Sequence, residues 1–445
     1  KLVEVPLSLD HPYWVLDEDI DLEYHVRHIS LPKPGDWQSL MAQIARLQAR
    51  ALDHSRPLWM VHIIEGLDNV AGLEPGCFAM YLKVHHAAID GVTSHELSMA
   101  IHDLAPYQVD AEAYEPTFHP DHSDNEPSPL NLLARTPLKT ALRTTRLGLG
   151  LLRALPGLLR MGFTANGDRR AVPSTVCNPA RVSPNRVIDG RFFAFNDFKR
   201  IRAAEPGTTI NDVALTVVSG ALRYYLDARD ALPEESLIAG CPINVGTEQD
   251  ADAGRGNLLS LMTPPLHTEI EKPLERLRAI REGTKDAKAW NEAIGSTTLT
   301  TIPMNLPAPL AKGLYPILSE LAVRSKNVPY NTLITNVVGF QKPIYLAGAE
   351  LVKILATGPI IDRSGIFHTV FSYSGQVSIG FTACRAMLPD PEFYAECIEG
   401  SFDDLRKAAL GKNRKPAKKS RKKSKQQTSR KTKAKKKSGK RKVSA

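Results

Sequence analysis

CFAMYLKVHHAAIDG, running from Cys77 to Gly91, decides how the rest of the chain is read. Its first half has strand character and its second half is polar and turn-like. On an extended backbone successive side chains alternate faces, so Phe78, Met80, Leu82 and Val84 share one face, with Tyr81 and Lys83 on the other. Carrying that phase forward places His86 with the apolar, buried face and His85 opposite. A desolvated imidazole resists protonation and is neutral at cytosolic pH, the state a general base needs. Asp90-Gly91 is a turn pair whose carboxylate can orient the loop. Plainer readings stand beside these: a strand-end histidine is often structural, and an Asp-Gly pair is often only a turn. Spacing by itself leaves both open.

Working outward, WMVHIIEGL (Trp59–Leu67) reads as the partner strand of a hairpin-like pair. Upstream, Asp36 caps an expected amphipathic helix with Leu40, Ile44, Leu47 and Ala51 on one stripe. Downstream, Thr93 and Glu96 form a capping-box pattern for a helix reaching about Leu104. Residues 1–105 are therefore expected to form one domain. From 106 to 185 the periodicity dissolves into a linker that carries the basic, apolar run KTALRTTRLGLGLLRALPGLLR. Within it Leu147–Leu159 is expected to be amphipathic and interfacial, too short to span a hydrocarbon core of roughly 30 Å. A second domain is expected over 186–410. It opens with a strand, VIDGRFFAF, and a short helix capped by Asn196. INDVALTVVSGALRYYLDARDAL follows as a long helix with Thr209 and Asp212 as its capping pair. LIAGCPINV, LLSLM, TLITNVVGF, HTVFSYS and QVSIGFTAC read as strands, and Pro391 to Leu410 as a closing helix.

The chain has 445 residues, 42% hydrophobic and 24% charged, which excludes a wholly disordered or fibrous protein. Its net charge of +9 conceals two objects. From Gly411 to Ala445 there are 18 Lys or Arg and no Asp or Glu; removing them from 57 leaves 39 basic against 48 acidic residues, a net of −9. Residues 411–445 are expected to be a disordered Lys-rich tail. The five cysteines are far apart with no CxxC pair, which argues against a disulfide framework or a Cys-rich zinc site. His119 and His122 sit in a Pro/Asp-rich stretch without further ligands at suggestive spacing, so no metal is expected. The sequence starts at Lys1 in what reads as mid-domain, and a preceding segment is expected.

HHAAIDG matches the HHxxxDG signature of CoA-dependent acyltransferases related to chloramphenicol acetyltransferase, peptide-synthetase condensation domains and plant BAHD enzymes. Its companions narrow the resemblance: RPLW (Arg56–Trp59) before IIEGL, INDVAL (Ile210–Leu215), PINV with a later Gly256-Asn257, TNVVGF (Thr335–Phe340), and Gly358-Pro359 before SYSG (Ser372–Gly375). In that order the chain resembles the bacterial wax ester synthase/diacylglycerol acyltransferases over nearly all of residues 1–405. Three departures are visible. An upstream Ser-x-x-Asp is absent, TNVVGF stands for the usual SNVPGP, and PINV replaces a PVSVR-like stretch.

The resemblance implies an α/β (α+β) fold of two chloramphenicol-acetyltransferase-like domains with a substrate tunnel between them. It implies acyl transfer from acyl-CoA, a co-substrate and the only small molecule needed besides the acceptor, to a fatty alcohol or diacylglycerol. His86 is the implied general base, with His85 supporting it and Asp90 and Gly91 shaping the loop. Pro57, Leu58 and Trp59 are implied at the channel mouth, although Leu58 reads more simply as core. Asn211 and Asp212 are implied in the active-site wall, with helix capping as the competing reading. Asn257, Asn336 and Thr335 are oxyanion-donor candidates between which the sequence does not choose. Two other classes compete: a condensation-like enzyme acting on a different acceptor, and a non-catalytic protein working through its basic tail. That tail suits anionic lipid or nucleic-acid phosphates. The expected location is the cytoplasm, peripheral at the inner membrane or lipid inclusions.

Overall fold

A computed structural model describes residues 1–88, 97–106, 130–134, 136–142, 144, 145, 148, 172–244, 259–294, 306–325 and 328–411. The His-bearing strand lies in a three-stranded sheet. Strand β1 (Leu2–Val3) pairs with β2 (Tyr13–Trp14) as a small separate ladder, and helix α1 (Leu22–His25) leads directly into β3 (Val26–Ser30). β3 runs parallel to β4 (Trp59–Glu65), which pairs antiparallel with β5 (Ala79–Val84), so the order is β3-β4-β5. Helix α2 (Trp37–Ala49) is capped by Asp36, whose carboxylate accepts the Ser39 N–H at 2.9 Å. Leu40, Met41, Ala45 and Leu47 of α2 pack with Ile64, Tyr81 and Ile188 in one hydrophobic cluster. Ala51 lies past the end of α2 and is exposed, so it is not on the buried stripe.

That packing reverses the expected phase of β5. Tyr81 is buried, its hydroxyl donating to Gln48 on α2, whereas Met80, Leu82 and Val84 are half-buried and Phe78 is exposed. Lys83 shares the covered side, its ammonium donating to the carbonyls of Leu47, Gln48 and Arg50 at the end of α2. The cause is chemical. The last turn of a helix leaves carbonyls without partners, and a long lysine lays its stem on apolar surface while its head satisfies them.

The second sheet has six strands in the order β6-β13-β12-β9-β7-β8. They are β6 (Arg186–Ala194), β7 (Ala239–Asn244), β8 (Leu259–Met262), β9 (Thr332–Val338), β12 (Ile366–Tyr373) and β13 (Gln376–Cys384), with β10 (Tyr345–Leu346) and β11 (Ala349–Glu350) forming a separate ladder. Helix α3 (Phe195–Ala204) has no side-chain cap; its N-cap is Ala194, and Asn196 lies inside the helix. Helix α4 (Ile210–Asp227) has the expected capping box from Thr209 and Asp212. Its Val213, Val217, Ala221 and Tyr225 are buried as the periodicity predicts, and so are Ala214, Leu215, Val218 and Leu222. The helix is covered on more than one side because α7 (Pro391–Leu410) crosses it. A Cβ on Gly220 would lie 2.1 Å from Ser401 Oγ and 2.6 Å from Arg276 Nη2, so any larger residue there would force those side chains to shift. Helices α5 (Pro273–Ile294) and α6 (Ala308–Arg324) were not anticipated; α6 carries Pro316 in its interior.

Residues Lys1–Gly411 form one compact unit. The two sheets are joined where α2 meets β6. Trp37 Nε1 donates to buried Asp189 Oδ1 at 2.6 Å, and Ile188 enters the α2 cluster. All five cysteines are free thiols. Among the described residues no helix is long and apolar enough to cross a membrane. Residues 97–100 are helical and the turn follows at Ile101, short of Leu104; the Thr93 cap, most of Leu147–Leu159 and the Lys412–Ala445 tail lie outside the described residues.

Candidate active site

The two histidines sit where β5 runs out. Antiparallel register sets Trp59 opposite Val84, and the next backbone bond, His85 N–H to Leu58 carbonyl, is 2.9 Å. The PLW segment and the start of HHAAIDG are therefore one corner of the β4–β5 pair, although 26 residues separate Trp59 from His85 in sequence. Leu58 is 2% exposed and is core, as its plainer reading held; Pro57 and Trp59 are half-buried. Behind the corner stands His25, 1% exposed. Its Nδ1 donates to the Trp59 carbonyl at 2.8 Å, and its ring stacks on the Trp59 indole at 4.4 Å.

Past β5 the chain turns at once. Ala88 donates its N–H to the His85 carbonyl at 2.8 Å, and Ala87 donates its N–H to His85 Nδ1 at 3.2 Å. An accepting Nδ1 leaves the proton of the neutral ring on Nε2. Burial holds the His85 pKa below the ordinary imidazole value, and the neighbouring His54 and His86 push the same way. The His54 ring meets that of His85 edge-on at 5.6 Å. His85 is half-buried and His86 is exposed, the reverse of the expected facing. The turn begins at His85, so the strand alternation used to place His86 no longer applies beyond Val84. His85 is thus tied into the turn, and His86 follows it as an exposed residue. Asp90 and Gly91 lie outside the described residues.

A second constellation forms on the six-stranded sheet. Asn336 Nδ2, on β9, donates to Asn211 Oδ1 in the first turn of α4 at 3.2 Å. Asn211 is half-buried and Asn336 exposed; Thr335, half-buried, points to the other face of β9. Asp212 differs from its neighbour. It is 2% exposed, one oxygen accepts the Thr209 N–H and hydroxyl, each at 2.8 Å, and the other accepts the Thr284 hydroxyl at 2.8 Å. These bonds make Asp212 the capping partner of Thr209 and tie it to α5 through Thr284. TNVVGF and SYSG meet each other: Gly339 donates to the Ser372 carbonyl and Ser374 to the Phe340 carbonyl, both at 2.9 Å. Gly358 is required by close packing, since a Cβ there would lie 2.3 Å from the Phe367 ring. Asn257 lies outside the described residues.

Sequence reasoning nominated neither His25 nor His54. His25 sits in a polar run, YHVRH, with no periodic signal, and only its long-range packing on Trp59 singles it out. His368 was also missed. It is fully buried, with Nδ1 on the Thr332 hydroxyl at 2.8 Å and Nε2 on the Tyr394 hydroxyl at 2.7 Å, and burial lowers its pKa to about 3. Such a ring is a neutral structural bridge, closed to solvent.

Comparison with known proteins gives these sites a context. Residues 1–214 match the wax ester synthase/diacylglycerol acyltransferase catalytic domain, and residues 255–406 match the WS/DGAT C-terminal domain. A Mycobacterium tuberculosis protein named "Probable diacyglycerol O-acyltransferase tgs2" is 32% identical over 399 residues, covering 89% of this chain and 84% of its own length. A second protein of that species is 31% identical over 414 residues, covering 91% of this chain and 80% of its own. Among solved structures, the wax ester synthase/diacylglycerol acyltransferase from Marinobacter aquaeolei VT8 superposes with a TM-score of 0.62 at 26% identity, covering 90% of this chain and 84% of that one. The chain therefore belongs to the wax ester synthase/diacylglycerol acyltransferase family and is an acyltransferase.

Proposed function

We propose that this enzyme transfers a long-chain acyl group from acyl-CoA to the hydroxyl of a fatty alcohol or diacylglycerol, releasing a wax ester or triacylglycerol and free CoA. The observation that carries this reading is the corner at Leu58 and His85, which fixes one histidine in the turn with the next one exposed beside it. His86 takes the proton from the acceptor hydroxyl as its oxygen bonds to the thioester carbonyl carbon. The tetrahedral intermediate then expels the thiolate, and the imidazolium returns the proton to sulfur. A positioned base of this kind contributes about 10²–10⁴-fold. His85, neutral through burial and held by the Ala87 N–H, supports the turn. Asn336, exposed and hydrogen-bonded to Asn211, is favoured over Thr335 as an amide donor near the reacting carbonyl. Asp90 and Gly91 shape the loop, Asn257 is a further amide candidate, and Pro57 and Trp59 border the acceptor entrance. The two substrates meet in a tunnel between the two sheets.

The same reading places the enzyme in the cytoplasm, peripheral at the inner membrane or lipid inclusions. The 18 Lys and Arg spread over Gly411–Ala445 support this, at about 1 kcal/mol per basic residue near anionic lipid. The deciding assay offers palmitoyl-CoA with hexadecanol and dioleoylglycerol together, follows thiol release, and resolves products by thin-layer chromatography. Neutral ester formed in step with free thiol is expected. Free fatty acid as the only acyl product would contradict acyl transfer.

A further inference from the structure

Where β4 meets β3, one rung of the ladder is made by a side chain. The His85 N–H bonds the Leu58 carbonyl, so by alternation the backbone groups of Leu58 face β5 and those of Trp59 and Val61 face β3. The parallel register sets Val26 opposite Val61, and a residue facing a parallel neighbour bonds the residues on either side of its partner. Carried back by two residues, that pattern assigns the Trp59 carbonyl to the backbone N–H of His25. That N–H is engaged elsewhere. Asp21 caps the single turn of α1, its carboxylate accepting the Tyr24 N–H at 3.0 Å, and within that turn the His25 N–H goes to the Asp21 carbonyl at 3.2 Å. The ring of the same residue takes over the rung: His25 Nδ1 donates to the Trp59 carbonyl at 2.8 Å.

The carbonyls of Leu58 and Trp59 are thus held from opposite sides, one by the His85 backbone and the other by the His25 ring. The Trp59 N–H turns back to the Pro57 carbonyl at 2.9 Å, which leaves its carbonyl as the link to the β3 side. The His25 ring also stacks on the Trp59 indole, with centroids 4.4 Å apart. Its Nε2 is buried and has no partner among the described residues. A partnerless imidazole nitrogen in the interior is costly, and a residue that only filled this space would be better apolar. The bond made by Nδ1 is what the imidazole adds.

We propose that His25 is a positioning residue for acyl transfer: its ring fixes Trp59, and with it the Leu58 carbonyl on which the histidine turn hangs. The inference rests on the reading of His86 as the base. The route is short, from the ring to the Trp59 carbonyl, from the adjoining Leu58 carbonyl to the His85 N–H, and on to His86 as the next residue. His25 is 1% exposed and acts through this backbone, not as a reacting group. A base displaced by about 1 Å loses up to about a hundredfold in rate, so one interior hydrogen bond on this route bears on turnover.

The test uses the full chain with palmitoyl-CoA and hexadecanol, and compares His25→Asn with His25→Leu. The two new side chains match in size, and only the asparagine amide can put a donor where Nδ1 stands. His25→Leu should lower kcat by about tenfold to a hundredfold while KM for palmitoyl-CoA changes by less than about twofold, the mark of a displaced base. His25→Asn should bring kcat back to within about threefold of the wild type. His25→Phe keeps an aromatic ring without the donor; it should behave like His25→Leu and stands in for it should that variant not fold. Imidazole nitrogen shifts give a readout that packing alone would not move: at alkaline pH a ring protonated on Nδ1 should be present in the wild type and missing from His25→Asn. Wild-type kcat in folded His25→Leu or His25→Phe, equal losses in His25→Asn and His25→Leu, or no Nδ1-protonated ring lost with His25 would each overturn the assignment and leave acyl transfer standing. A His25→Asn chain that does not fold would count against it too, as would failure of both donor-free variants to fold, which would make the bond a folding device. No thiol release by the wild type from palmitoyl-CoA would remove the acyl-transfer reading and the positioning role with it, while the nitrogen shifts would still decide the bond.

Discussion

Replacing Lys83 with Met should loosen the strand that delivers the histidines. The Lys83 ammonium holds the carbonyls of Leu47 and Gln48, each at 3.1 Å, and that of Arg50. Charge-assisted bonds of this kind are worth about 1.5–3 kcal/mol each. The Arg50 contact is exposed and counts for little. The other two, part-buried, supply about 3 kcal/mol, and no longer burying an ammonium, whose pKa is already lowered by burial, returns about 1 kcal/mol. A net loss of roughly 2 kcal/mol follows, or about half a molar in urea midpoint for a chain of this size. Tryptophan fluorescence is a suitable probe, because Trp37 begins α2 and Trp59 begins β4. Lys83→Arg, which keeps the cation, should recover most of the midpoint. Turnover should also fall about threefold to tenfold in Lys83→Met, because Lys83 lies two residues before His85 and a small misplacement of a catalytic group is costly. A Lys83→Met enzyme with wild-type midpoint and wild-type turnover would refute the idea that the end of α2 anchors the active-site turn.

Other expectations can be checked with the same protein. Gly358→Ala drives a methyl into the Phe367 ring and should cost about 1–3 kcal/mol by overpacking, read as a lowered melting temperature; an unchanged melting temperature would show that the ring has room to move. His368, with its folded pKa near 3 and an unfolded value near 6.5, leaves the unfolded chain holding more protons between those limits, so stability should fall as pH drops from 6.5 toward 3. Its share is at most about 1.4 kcal/mol per pH unit, and a His368→Gln variant should show a shallower acid limb; equal slopes would contradict the assignment. Deleting Gly411–Ala445 should reduce sedimentation with anionic-lipid vesicles and leave turnover on soluble donors unchanged, whereas unchanged sedimentation would remove the tail from membrane binding.

Much of this fold is readable locally, and the failures have local causes. The Thr209–Asp212 capping box and the span of α7 depend on residues within one or two turns, so sequence alone places them. The phase of β5 does not. Both faces of the strand carry apolar groups, and which face receives α2 is decided by where Lys83 finds the helix carbonyls, more than 30 residues back. α6 was hidden by Gly313 and Pro316 in its interior, and β3 by the polar alternation of VRHIS. At the site, both asparagines of the Asn211–Asn336 pair were nominated, but their contact spans 125 residues, beyond the reach of any local signal. His86 was singled out from facing and motif together. The facing argument fails because β5 turns its Tyr81 and Lys83 side, not its Leu82 and Val84 side, toward α2.

The central claim is that the exposed second histidine is the base and the half-buried first one a support. The direct measurement is CoA thiol release from palmitoyl-CoA by His86→Ala and His85→Ala, with hexadecanol and with dioleoylglycerol, in variants shown to melt as folded proteins. His86→Ala should lose activity with both acceptors by about 10²-fold or more, since both need the same hydroxyl deprotonated, and His85→Ala should keep substantial turnover. Near-normal turnover in His86→Ala together with its loss in His85→Ala would contradict the assignment.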